Sequence, residues 1–170
     1  MIVHVDNRTL DALQKTDMRV LNLSKSVFAN TIETLNAAGA KAIGIDIVFA
    51  NAAEDVGVLA QMLNNYRNVV IGAKVGSDGG EQILPLEAFS GSTWGMIDIP
   101  RYGITLSRMV PQSMVHGTLI ESMSIALSRK YSGGSPMKQA ESLDTFKLTP
   151  LTDIPLKDGM MLIPFFHEPA

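Results

Sequence analysis

The sequence predicts an α/β fold, three-layer-like, built on a mixed and mainly parallel sheet. It opens as β-α-β-α-β and continues as antiparallel hairpins with one more helix. Two observations predict this. Up to Val75, apolar strand-like runs alternate with amphipathic helical runs across short turns, an order that implies parallel strands with right-handed crossovers. Beyond the Gly-rich stretch "GSDGG" at 76–80, short β-rich runs bounded by turn residues take over.

The elements follow in chain order. "IVHVD", 2–6, alternates and is β-branched, so it reads as a strand. "DNRTLDALQK" is a short helix or turn, with Asp6 or Asn7 as its cap. Val27, Phe28, Ile32 and Leu35 recur at helical spacing over 22–38, where Asn22 or Ser24 caps the start and Gly39 supplies the stop. "KAIGIDIVFA", 41–50, is apolar on both faces, like a strand inside a parallel sheet. A second amphipathic helix spans 54–66 through Val56, Leu59, Met62, Leu63 and Tyr66, and "NVVIGAKV", 68–75, is the third strand.

In the second half, "ILPLEAFSG" is a short helix or irregular segment. "TWGMIDIP" and "ITLSRMVPQSM" read as an antiparallel hairpin turning near Arg101–Gly103. Residues 117–131 read as a helix buried through Leu119, Ile120, Met123, Ala126 and Leu127. A Gly/Ser-rich loop covers 132–142, and "TFKLTPL" and "MMLIPFF" are closing strands, with a Lys157–Gly159 turn before the last.

Composition bounds the function. A chain of 170 residues, 46% hydrophobic, makes one domain with a core large enough to need no staples. The net charge is −3 and the bases are scattered, which argues against nucleic acid as a partner and against a polybasic lipid patch. There is no cysteine, so disulfides, thiolate-bound zinc and a cysteine nucleophile are excluded. His4, His116 and His167 lie far apart, without the spacing of a zinc site. "GSDGG" lacks the Lys-Ser/Thr ending of a phosphate loop, and "SGSTWG" is no nucleophile elbow. No cofactor is expected. No run reaches the ~18 apolar residues of a membrane span, and no signal peptide opens the chain. The abrupt ends lead to the expectation of a single domain, 1–170, excised from a longer protein.

Taken in order, these segments resemble the CHASE2 sensor domain. The likeness rests on "IVHVDNRTLDAL", "IETLNAAGAKAIGIDIVFAN", "EDVGVLAQMLNNYRNVVIGAKV", "WGMIDIPRYGITLSRMVP", "TLIESMSIALSRKY" and "IPLKDGMMLIPFF". The resemblance implies an extracytoplasmic, periplasmic or cell-surface, sensory module of a bacterial membrane receptor. Such a module lies between membrane spans and passes a signal to a kinase or nucleotide cyclase inside the cell. It also implies a non-catalytic role. The implied partners are a small-molecule or protein signal and, since symmetric dimers are the commonest assembly, a second copy of the chain.

The acids near strand ends are the candidate site. Ligands of open parallel sheets bind beyond the carboxyl ends of the strands. Asp6 and Asp46 would approach each other there if their strands are neighbours. Two close carboxylates demand a cation, and Arg108, in an apolar strand, suits bidentate pairing with Asp46 or Asp98. The ligand-binding candidates are therefore Asp6, Asp46, Asp98 and Arg108. A purely structural use of the acids, as caps or ion-pair partners, stands beside that reading. Two other functions fit the same residues: a magnesium-dependent phosphoacceptor or small enzyme using Asp6 and Asp46, and a dimerisation module without a ligand.

Overall fold

The structure is a computed structural model. It describes residues 23–52, 55–76, 81–98, 108–134, 145–149, 152–157 and 160–162. The first predicted strand, with Asp6, lies outside the described residues.

Helix α1, Lys25–Ala37, is capped by the Ser24 hydroxyl, which accepts the Ser26 N–H at 3.2 Å. It buries Phe28, Ala29 and Ile32. Strand β1, Ile43–Ile45, is followed by helix α2, Val56–Asn65, which buries Leu59 and Leu63. Strand β2, Val69–Val75, is buried along most of its length. After it come β3, Gln82–Ile83, a 3-10 turn at Glu87–Phe89, and β4, Thr93–Met96. Two short strands follow, β5 at Arg108–Met109 and β6 at Gln112–Val115. Strand β7, Thr118–Ser122, leads directly into helix α3, Met123–Ser132. The last described strands are β8, Thr145–Thr149, β9, Thr152–Lys157, and β10, Met160–Leu162.

Strands β1, β2, β4 and β7 run parallel, and β6 adds antiparallel to β7 at the edge. β3 pairs antiparallel with Lys74 and Val75, past the point where β1 leaves β2. A second, antiparallel sheet has the order β5-β10-β9-β8. The mixed α/β class expected from the sequence is therefore the fold observed.

One face of the parallel sheet packs on α1 and α2, in a core of Phe28, Ile32, Ile43, Phe49, Leu59, Leu63, Val69 and Ile71. Phe49 meets Phe28 edge-on at 5.1 Å and Phe89 at 5.9 Å between ring centroids. The other face carries α3, and two glycines let it approach. A Cβ at Gly95 would lie 2.7 Å from the Met123 Cα, and one at Gly44 would lie 2.7 Å from Leu127 Cδ1. The space beside Gly44 is thus filled by a helix of the same chain.

Three local expectations change. The run at 117–131 is not one helix, because its first five positions after Gly117 form β7. His116 (φ 48°) and Gly117 (φ 78°) make a two-residue turn that pairs Val115 with Thr118, a geometry that requires left-handed backbone at both positions and so favours Gly. The expected hairpin of 93–100 with 104–114 is not formed among the described residues. β4 takes parallel partners on both sides, and β5 joins the second sheet. The strand expected over 41–50 ends at Ile45, where the Ile47 N–H donates to the Ile45 carbonyl at 2.8 Å. Asp46 is the centre of that tight turn, an inverse γ-turn of the kind found at strand ends.

Candidate functional site: the two rims of the sheet

The carboxyl ends of the parallel strands form one rim. Asp46 follows β1 there and is exposed, so no buried charge needs compensation. Among the described residues it makes no ion pair or side-chain hydrogen bond. Asp98, just past β4, is half-buried and accepts the Val75 N–H through Oδ2. It thereby satisfies a backbone donor at the end of β2, a structural task. Arg108 opens β5 opposite Leu162, and its side chain lies outside the described residues. The structure therefore places Asp46 and Asp98 at the same rim, but just past β1 and β4 respectively, with β2 between those strands.

Two helices also start at this rim. The Ser24 hydroxyl donates to Asp55 Oδ2 at 2.6 Å, joining the N-termini of α1 and α2. Lys25, only 3% exposed, holds its ammonium 5.0 Å from the Phe49 ring centroid. Burial lowers its pKa below the usual lysine value.

The opposite rim, where β1, β2, β4 and β7 begin, is basic. Lys41 precedes β1, Arg67 precedes β2, and Arg129 and Lys130 stand in the last turn of α3. Cations there complement the negative ends of the helix dipoles. Arg67 Nη1 donates to the Gly91 carbonyl at 3.4 Å, and Lys41 lies 5.2 Å from the Tyr131 ring centroid. Asn68 donates to Asn36 Oδ1 and to the Ala40 carbonyl, tying this rim together.

A cleft of about 610 Å³ opens here, between the segment leading into β4, the start of β7 and the end of α3. That volume is in the range of small-molecule sites. Glu121, 8% exposed, is its acid, and Arg129 contacts Glu121 Oε1 through both Nε (2.9 Å) and a terminal nitrogen (2.8 Å). Lys130 has a lowered pKa, chiefly from burial and then from repulsion by Arg67, against a weaker attraction to Glu121.

The family model of the CHASE2 domain matches residues 1–169. The chain belongs to the CHASE2 domain family. CHASE2 domains are sensory, and they are typically extracytoplasmic. No curated protein and no solved structure matches this chain significantly. No helix among the described residues is long and apolar enough to cross a membrane.

Sequence reasoning about this CHASE2 domain placed its candidates at the carboxyl rim and missed the cleft. The strand-end rule points to carboxyl ends, whereas the cleft lies at amino ends. Its walls come from three separated segments, so no local motif announces them. The adjacent bases Arg129 and Lys130, ending an amphipathic run that holds Glu121, were the available signal.

Proposed function

We propose that this domain is the extracytoplasmic signal-receiving segment of a bacterial transmembrane receptor, and that it controls a cytoplasmic kinase or nucleotide cyclase. The match to a sensory family over residues 1–169 carries this reading. The mechanism is a population shift: a signal favours one of two arrangements by its differential affinity. Flanking spans then relay the shift, across a homodimer in the simplest symmetric assembly. The exposed Asp46 supports a part for the acid rim in receiving a cationic signal. Asp6 and Arg108 join Asp46 in that proposal, and Asp98 contributes to it by holding the end of β2.

The placement is tested by accessibility. The chain has no cysteine, so Asn30→Cys, on an exposed turn of α1, introduces a unique thiol in the domain. In intact cells carrying the full receptor, a membrane-impermeant maleimide is expected to label it. Labelling only after lysis overturns the external placement.

A further inference from the structure

We infer that the cleft at the basic rim binds a small organic anion, its carboxylate or phosphate held by Lys130 and nearby hydroxyls and its apolar body laid against Trp94. Three features converge on this. Charge comes first. Glu121 accounts for Arg129 through two contacts, whereas Lys130 makes no ion pair among the described residues. Arg67 also repels Lys130, so the bases here outnumber the one acid among the described residues, and an incoming anion relieves that repulsion.

Donors come second. Ser92 gives its hydroxyl proton to the Phe89 carbonyl at 2.6 Å. Ser90, Thr93 and Thr118 also line the cleft, and their hydroxyls make no protein hydrogen bond among the described residues. They are therefore available to an oxyanion. Shape is third. Trp94, Leu119 and Ile120 give the same cavity an apolar wall, as ligand pockets commonly have. A helix-dipole role explains a base at the end of α3. It does not explain why unengaged hydroxyls and a tryptophan line the same cavity as that base.

Trp94 is the chain's one tryptophan, so its emission reports on this cleft. The probes are cyclohexanecarboxylate, inorganic phosphate and the neutral cyclohexanemethanol, titrated at fixed ionic strength. We expect a saturable change with the carboxylate, a weaker one with phosphate and none with the alcohol. Lys130→Gln should weaken carboxylate binding about tenfold, the loss of one charged hydrogen bond, while Lys130→Arg retains most of it. Lys74→Gln, an equal charge change at the far end of β2, should leave it intact. The proposal is overturned if neither anion gives a saturable response, if the alcohol matches the carboxylate, or if Lys130→Gln binds like the parent chain. The biological meaning of the site rests on the sensory reading, but binding is read on this chain alone. A failed titration therefore removes the cleft and leaves the receptor, while failed external labelling does the reverse.

Discussion

The carboxyl rim and the amino rim of one sheet carry opposite charges, and those charges have different work. At the carboxyl rim, Asp55 is held by Ser24 and Asp98 by the Val75 N–H. These acids close the fold where helices α1 and α2 begin and where β2 ends. At the amino rim, one acid and one base neutralise each other inside a cavity, and a further base is left beside unengaged hydroxyls. Both charge patterns suit the helix dipoles. The difference teaches that charge at a strand end does not mark a site. What matters is whether the charge is already satisfied by the fold.

Four substitutions sharpen this contrast, from the largest effect to the smallest. Gly95→Val should cost about 3 kcal/mol in urea unfolding, an overpacking penalty, because the new Cβ meets the backbone of Met123. A Gly95→Val chain of parental stability would show that α3 is not seated on β4, and the cleft would lose its rear wall with it. Asp98→Ala should cost about 1.5 kcal/mol by leaving the Val75 N–H unsatisfied. A neutral result would mean that the acid rim is less structural than argued, which favours a ligand there.

Lys25→Met should stabilise the chain by about 1 kcal/mol at pH 7, since an apolar side chain replaces a buried ion. The pH dependence gives the sign independently. The folded-state pKa of Lys25 lies below the unfolded value of about 10.5, so the folded state holds the proton less well. The contribution of this group is least favourable below the folded pKa. It improves as pH rises through that value and levels off above the unfolded one. The advantage of Lys25→Met should therefore shrink as melts are taken from pH 7 towards pH 10. A constant gap would mean that packing, not charge, sets the effect. Asp46→Asn should change stability by no more than about 0.5 kcal/mol, as for an exposed residue without partners. A larger loss would reveal a hidden structural role.

Much of the architecture was legible because its signals are local. The apolar spacing of Phe28 and Ile32, and of Leu59 and Leu63, specifies the two helices that cover one face of the sheet. The continuous apolar run at 69–73 marks β2, an interior strand. Legibility failed where one pattern serves two structures. Leu119 and Ile120 fit a helical stripe as well as a strand, and the choice falls to the His116–Gly117 turn, whose two positive φ angles admit a hairpin. Asp46 fell inside an expected buried strand, 41–50, because the apolar run continues past it. The chain instead bends at that residue and exposes it. The partner choices of β4 and β5 are tertiary facts, since nothing in "TWGM" or "RM" names the strand beside it.

The path of the chain between β4 and β7 has one more consequence. There it lends β5 to the second sheet, where Arg108 and Met109 pair with β10 at Leu162 and Met161. During synthesis, that pairing cannot form until residue 162 has left the ribosome. Contacts between such distant segments slow folding, because a long loop must close before they are rewarded. Maturation of this domain should therefore be limited by the arrival of β10, and losing it would leave β5 without its described sheet partner.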